Sequence, residues 1–254
     1  MNPTPLTVAY LSPAMPALSE TFVYEELLAL ERRGVTVVPF SVRRPAKPVP
    51  AQQALAARVT HLYAGGPVAV VLSGLLQLPR FGLRVGRALG WLASDVLECG
   101  PLRFASWKLV YQFLAGARLA ALLHQRGCTH LHVHFAHVPS QIAMYASALG
   151  GVPFTIMAHA NDIFEDGILL QKKAMRAKRM LTISDYNRRY LQGQGIAPDR
   201  LAVVRCGVSF APPATPPMPS RPPSSCSSVA MMSTVLRSTP DWSVYLPYFS
   251  RPSM

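Results

Sequence analysis

The sequence predicts an α/β protein with a Rossmann-like parallel sheet flanked by helices. β-rich runs alternate with amphipathic helical patterns, first over about residues 7–38 and again after Gly127. Because the connections are short, this order is typical of right-handed β–α–β units and a parallel sheet. The chain has 254 residues, 50% of them apolar, so it is also long enough to bury a large core.

The first β–α–β unit is predicted from residue 7 onward. A β-rich run begins it, Pro13 and Pro16 indicate a loop, and Ser19 is a favourable N-cap residue for the next helix. Gly34 ends that helix. The predicted elements are a strand over 7–11, a loop over 12–18, a helix over 19–33 and a strand from 35.

Residues 54–125 are predicted to be mostly helical. Arg80, Arg84 and Arg87 recur at helical spacing beside an apolar face that precedes Trp91. Two interpretations stay open for this basic face. It is either the outer side of a core helix or a contact with an anionic membrane surface.

The alternation of strands and helices returns after Gly127. Strands are predicted over 129–135, 154–158, 180–184 and 201–205, and helices over 141–149, 168–178 and 185–192. The alternation of predicted strands and helices ends near residue 210. We therefore predict one Rossmann-like domain over residues 1–210 and, over 211–254, a Pro/Ser-rich irregular tail that is not a domain.

Charge and composition limit the partners and the compartment. A formal net charge of +13 favours anionic partners. Nucleic acid is not expected, because aromatic residues are not interleaved with the basic run 172–179, which is typical of a solvated helix face. The four separated cysteines are expected to be buried thiols in a reducing compartment: Cys99, Cys128, Cys206 and Cys226.

The N-terminus lacks the pattern of a signal peptide, so a cytoplasmic protein is expected, with possible peripheral contact at the inner face of the plasma membrane. The most apolar run, Val68–Leu78, is shorter than the roughly 20 residues that span a bilayer.

Ligands of open parallel sheets bind at the carboxyl ends of the strands, which places His159 at a candidate site. It follows the predicted strand 154–158 and precedes Asn161 and Asp162. Its imidazole is suited to bond a sugar hydroxyl, with Asp162 orienting it. The alternative is a helix N-cap at Asn161 or Asp162, in which His159 only lines the turn.

The same rule selects two other places, the loop over 12–21 after the first strand and residues 135–140. Ser19, Glu20 and Thr21 open a helix after the first strand, where free amides suit phosphate or hydroxyl oxygens, although a simple cap is the alternative. His130, His132 and His134 share one face of a strand by alternation. We expect packed neutral histidines and no bound metal there, because no nearby carboxylate completes a ligand set.

Several ordered motifs resemble one branch of the family-four glycosyltransferases, which includes colanic-acid and exopolysaccharide synthesis enzymes. Residues 10–22 are similar to its "FPxxSETF" opening, 130–136 to its "HIHAHFA" segment and 158–164 to its "AHAHDIF" segment. Further similar segments are 31–34, 40–45, 182–188 and 204–208. The resemblance covers about residues 5–208.

The resemblance implies a GT-B fold and retaining transfer of a sugar from a nucleotide-diphosphate sugar to a polysaccharide or lipid-linked acceptor. It implies no cofactor and usually no metal. His159 and Asp162 match catalytic positions, and Ser19, Glu20, Thr21, His134 and Asn161 match substrate-binding positions. This chain would supply the acceptor-side domain.

The sequence departs from the family after residue 208. Glu165 is the last glutamate, so the E-x7-E pair that grips the donor in such enzymes is absent, and Ser209 replaces the usual aspartate. We therefore expect a truncated chain that does not transfer sugar by itself. Two alternatives remain: a basic non-catalytic module that binds a membrane surface or an acidic glycan, and a metal-dependent hydrolase built on the histidine cluster.

Overall fold

The computed structural model describes residues 6–46, 49–165 and 167–205. Within these residues seven parallel strands form one sheet in the order β3-β2-β1-β4-β5-β6-β7. The strands are β1 Thr7–Ala14, β2 Thr36–Arg43, β3 Thr60–His61, β4 His130–His134, β5 Phe154–Ala158, β6 Arg179–Thr182 and β7 Leu201–Val203. The Rossmann-like α/β fold predicted from the sequence is confirmed.

The helices occupy the predicted places, with shifted ends. They are α1 Thr21–Arg32, α2 Gln53–Arg58, α3 Gly66–Gln77, α4 Arg84–Cys99, α5 Phe104–Gln125, α6 Val138–Gly150, α7 Ala160–Phe164, α8 Leu170–Arg176 and α9 Asp185–Gly193. In the described part of the chain, none of them combines the length and the apolar character needed to cross a bilayer. The predicted tail over 211–254 and Cys206 and Cys226 lie outside the described residues, so the domain boundary stays a prediction.

The sheet has an apolar core on each face because β-strand residues alternate between faces. Ala9 and Leu11 belong to one buried cluster, with α5 and α6, whereas Val8 and Tyr10 belong to another, with α1. The α5–α6 contact is especially close. A Cβ atom at Gly116 would lie 2.9 Å from the Ile142 carbonyl oxygen.

The loop predicted over 12–18 starts later than expected. β1 continues through Pro13 to Ala14. It pairs with β2 as far as Ala14↔Arg43 but with β4 only as far as Leu11↔Val133. Since one side of β1 is already unpaired beyond Leu11, a residue without an amide hydrogen is tolerated there.

Ser19 does not cap the first helix, so that prediction is wrong. Ser19 lies in a short 3-10 turn, Leu18–Glu20, and α1 begins after it at Thr21 without a side-chain cap. In contrast, Ser184 does cap α9, because its hydroxyl accepts a hydrogen bond from the Asn187 amide at 3.1 Å.

The basic residues of α8 are not a solvated face. Lys173 is fully buried. Arg176 pairs with buried Asp95 and lies 4.4 Å from the Trp91 ring centroid. The Lys172 ammonium is 3.2 Å from an Asp95 carboxylate oxygen. Lys172 and Arg176 therefore tie α8 to α4, whereas Lys178, later in the predicted run, is exposed as expected.

Two arginines of the predicted basic face of α4 also bond another helix. Arg84 and Arg87 donate hydrogen bonds to the carbonyl oxygens of Gly150 and Ala148, at 2.9 and 3.1 Å. Positive groups at a helix C-terminus bond carbonyls that have no partner within the helix. The interpretation of a core helix with a basic outer side is thus supported for these two residues.

The cysteine prediction holds in part. Cys128 is buried and is a free thiol, as expected, whereas Cys99 is a free thiol that is only partly buried.

Candidate functional site

Four aromatic side chains meet where β4 and β5 end at the start of α1. The ring centroid of His159 lies 4.8 Å from that of Phe22 and 4.7 Å from that of Phe135. The His134 ring stacks on His159 at 5.9 Å with an interplanar angle of 19°. The structure therefore brings His134 and His159 together at the carboxyl edge of the sheet.

His159 sits between the end of β5 and the start of α7, with 8% of its surface exposed. Its Nε2 atom is buried and has no hydrogen-bond partner among the described residues. Burial, with a smaller contribution from His137, lowers the pKa of His159 to about 4. The imidazole is therefore neutral at pH 7, and a neutral ring offers one donor and one acceptor to a ligand.

Asp162 acts on the backbone and not on the His159 ring. Its Oδ1 accepts a hydrogen bond from the His159 amide at 2.8 Å, and its Oδ2 accepts one from the Ala136 amide. Asp162 thus positions His159 through a capping box in which His159 itself is the N-cap of α7, and not Asn161 or Asp162. Burial raises the pKa of Asp162 to about 6, although these backbone bonds lower it in part. The carboxylate ties the loop after β4 to the start of α7.

Lys173 completes this junction, and sequence reasoning missed it. Its ammonium donates to the Ala136 carbonyl oxygen. Helical periodicity indicates that Lys173 is buried, because it lies three residues after Leu170 and next to Ala174. Both of those residues are buried on the inner face of α8. A lysine on an apolar helical face needs a buried partner, and here a backbone carbonyl provides it.

The loop predicted to meet the acceptor lies beside this site. Ser19 and Glu20 line a cavity of about 480 Å³ between the end of β1 and residues 45–46. Burial raises the pKa of Glu20 to about 7, and its Oε2 atom has no hydrogen-bond partner within the described chain. Thr21 is exposed and directly precedes Phe22, which contacts His159. Asn161 is exposed on α7.

The histidine cluster has a carboxylate that sequence reasoning missed. Glu26 Oε1 lies 3.9 Å from His132 Nε2, and Glu26 Oε2 lies 3.8 Å from His134 Nε2. The premise that no carboxylate lies near these histidines is therefore wrong. A signal did exist, because Glu26 shares the helical i, i+3, i+4, i+7 face of Val23, Leu27 and Leu30, all buried.

Burial controls the charge of this cluster. It raises the pKa of Glu26 to about 7, and it lowers the pKa values of His132 and His134 well below the usual range. His130, on the same strand, instead bonds Thr155 Oγ1 through Nε2 at 3.0 Å. The prediction of packed neutral histidines on one strand face is consistent with these shifts.

A family model matches the part of the chain that carries this site. Residues 95–211 match the model described as Glycosyltransferase Family 4. The match covers a little under half of the chain and includes His134, His159 and Asp162. No curated protein sequence matches the chain.

Solved structures of other proteins are similar to most of this chain. One is the UDP-N-acetylglucosamine 2-epimerase of Rickettsia bellii, with 10% identity and a TM-score of 0.44; the match covers 80% of this chain and 45% of that chain. Another is the UDP-GlcNAc 2-epimerase of Neisseria meningitidis bound to UDP-GlcNAc, with 10% identity and a TM-score of 0.43; the match covers 78% of this chain and 46% of that chain. A third is the UDP-GlcNAc 2-epimerase of Methanocaldococcus jannaschii, with 6% identity and a TM-score of 0.45; the match covers 78% of this chain and 45% of that chain. This chain thus spans a little under half the length of these structures. Likeness at this level identifies no common activity.

Proposed function

We propose that this chain forms the acceptor-side domain of a retaining, nucleotide-sugar-dependent glycosyltransferase that acts on a polysaccharide or lipid-linked acceptor. One observation carries the proposal. His159 presents a neutral imidazole with an unpartnered Nε2 at the carboxyl edge of a parallel sheet, inside the segment that matches the glycosyltransferase family model. Such an edge is where open α/β sheets bind ligands.

His159 has the chemistry to bind a sugar at the reacting end. Its ring packs against Phe22 and Phe135, two apolar side chains that reduce its contact with water. Exclusion of water strengthens a hydrogen bond from the ring to a sugar hydroxyl. Asp162 and Lys173 serve as positioning residues, because both bind the backbone of the loop that follows β4 and not the ring.

The neighbouring cavity suits the acceptor. Ser19 and Glu20 line it, and Glu20 has a buried carboxylate oxygen with no partner among the described residues. A hydroxyl group of an acceptor would satisfy that oxygen, whereas an empty cavity leaves it unpaired. Thr21 and Asn161, both exposed, complete the proposed set of polar contacts. His134 is fully buried and would act on the sugar only through the His159 ring on which it stacks.

Sugar transfer also needs groups that stabilise the departing nucleotide diphosphate, because negative charge develops on it in the transition state. In this proposal a donor-binding domain supplies most of them, and the present chain supplies the wall that holds the acceptor. The nucleotide sugar is a substrate, and no further cofactor is proposed. We expect transfer by this chain alone to be absent for the same reason.

Binding tests the proposal without requiring turnover. Purified protein is mixed with millimolar nucleotide sugars and simple glycosides, and saturation-transfer NMR reports which sugar protons contact the protein. We expect sugar signals in the wild type that are lost in His159→Ala. The matched control is His124→Gln, because His124 is an exposed histidine at the end of α5 that bonds the Gly150 carbonyl oxygen. Absence of signal in the wild type, or equal signal in His159→Ala, contradicts the proposal.

A second function, contact with an anionic membrane, is favoured by the exposed apolar side chains between residues 68 and 107. Leu83 and Leu102 are 98% and 97% exposed, and Phe104 and Trp107 are 75% and 65% exposed. Lys108 lies 5.1 Å from the Phe104 ring, so basic and apolar groups occur together. That combination is typical of proteins that rest in the headgroup region of acidic bilayers.

Vesicle flotation tests this second function. We expect the wild type to float with vesicles that contain acidic lipid, and a Leu83→Ser, Leu102→Ser double variant to bind at least severalfold less. Equal flotation of both proteins, or equal binding to neutral vesicles, counts against membrane contact.

A further inference from the structure

We propose that Glu26, His132 and His134 bind one divalent transition-metal ion of the Zn²⁺ class. These three residues are called the Glu26 cluster below. The cluster lies on the α1 side of the sheet, next to but separate from the exposed edge at which His159 was placed. The inference does not depend on the proposed sugar transfer.

The ligand atoms are already close together. One carboxylate oxygen and one imidazole nitrogen from each histidine all lie within 4.8 Å of one another. Zn²⁺ binds imidazole nitrogen and carboxylate oxygen at about 2.0–2.2 Å, which puts tetrahedral ligand atoms about 3.3–3.5 Å apart. Glu26 Oε1 lies 3.9 Å from His132 Nε2 and Glu26 Oε2 lies 3.8 Å from His134 Nε2, so the three side chains would draw closer together to hold one ion.

The cluster contains polar atoms that the protein leaves unsatisfied. His132 Nε2 and both ring nitrogens of His134 are buried without a hydrogen-bond partner in the described structure. Both histidine side chains have no exposed surface. A buried polar atom without a partner costs free energy, and a metal ion removes that cost by accepting the nitrogen lone pair.

The chemistry of the cluster suits a divalent transition-metal ion. Imidazole nitrogen and carboxylate oxygen are both ligand atoms that such ions take in proteins. Two imidazoles and one carboxylate with an open fourth position match the ligand sets of known zinc sites.

Hydrogen bonds already hold two of the proposed ligands in orientation. The Tyr10 hydroxyl donates to Glu26 Oε1 at 2.7 Å, and His132 Nδ1 lies 2.8 Å from Thr155 Oγ1. The Thr155 contact leaves His132 Nε2 directed to Glu26. Metal-binding residues are commonly fixed by such outer hydrogen bonds.

Glu26 is the member of the cluster that reaches the surface. The Glu26 side chain is 15% exposed, whereas those of His132 and His134 are fully buried. Binding would also fix the His134 ring, which stacks on His159. The ion would thus stiffen one wall of the proposed sugar site without contacting the sugar.

Metal titration of the full chain tests the inference. The protein is treated with chelator, exchanged into metal-free buffer and titrated with Zn²⁺ in calorimetry and with Co²⁺ in visible absorption. We expect one ion per chain, a higher melting temperature and the intense absorption of tetrahedral Co²⁺. Glu26→Gln and His134→Asn should each weaken binding by at least about tenfold, and Thr155→Val by about tenfold through His132.

His130→Asn is the matched control, because His130 lies on the same strand face but outside the ligand set. It should leave the stoichiometry and the Co²⁺ spectrum unchanged. Glu26→Gln keeps the shape of the side chain, so circular dichroism should report an intact fold. No bound ion in the wild type, or affinity retained in both Glu26→Gln and His134→Asn, would overturn the inference.

Discussion

The carboxylate of Asp95 receives the guanidinium of Arg176 through two parallel hydrogen bonds, at 2.6 Å and 2.9 Å. The pair joins α4 to α8 across 81 positions of sequence. Tyr145 of α6 donates a third hydrogen bond to the same carboxylate at 2.9 Å. One buried carboxylate thus holds three helices on one face of the sheet.

Removing this carboxylate should destabilise the fold strongly. Asp95→Ala leaves Arg176, whose side chain is only 10% exposed, without its counter-charge. The expected cost is about 3–5 kcal/mol of unfolding free energy, measured in urea. Glu98→Ala is the control, since Glu98 pairs with Lys172 but is 52% exposed, and it should change stability by less than about 0.5 kcal/mol. Equal losses in both variants would contradict this account.

Two helical glycines should respond oppositely to alanine. A Cβ atom at Gly74 would lie 2.5 Å from the Leu114 carbonyl oxygen, so Gly74→Ala must push α3 from α5. We expect a loss of about 1–3 kcal/mol in thermal or chemical unfolding. Gly86 in α4 has open space at the same atom, so Gly86→Ala should stabilise by about 0.5–1 kcal/mol. Stabilisation by Gly74→Ala would show that the α3–α5 contact is looser than described.

Glu20 should make stability depend on pH. Its folded pKa of about 7 lies above the ordinary value of 4.5, so the folded state holds the proton more tightly. The stability that this proton provides is fully present below about pH 4.5 and is lost as the pH rises to about 7. Glu20→Gln should therefore gain stability relative to the wild type over this window, by about 1 kcal/mol after allowance for partial exposure.

Melting temperatures measured from pH 4 to pH 8 check the Glu20 prediction. Glu25→Gln, at an exposed position of α1, is the control for loss of one charge. A difference between Glu20→Gln and the wild type that does not change with pH would refute it.

The cap of α9 should contribute measurably to stability. Ser184→Ala removes the acceptor for the Asn187 amide and should cost about 1 kcal/mol. Ser184→Asp keeps an acceptor at the same position and should retain most of the stability. Urea unfolding distinguishes the two variants, and an unchanged midpoint in Ser184→Ala would show that water replaces the hydroxyl fully.

The sequence by itself determined the order of strands and helices. Alternating and 3.6-residue periodicities are local, so they identified the strands around 130–134 and 154–158 and the helices between them. The same logic placed His159 at the carboxyl edge of the sheet and His130, His132 and His134 on one strand face. The prolines predicted the end of the first strand less reliably, because β1 continues through Pro13 to Ala14 where only β2 is still paired with it.

Only the tertiary structure decided how the polar groups are paired. Glu26 joins histidines more than a hundred residues later because α1 packs on the face of β4 that carries them. Lys173 and Asp162 converge on the backbone of Ala136 from two further elements. Each partner is distant in sequence, and a buried polar atom is satisfied by whatever the fold brings within hydrogen-bond distance. Periodicity predicts which side chains are buried, but the partner of each is fixed only when the sheet and its helices pack together.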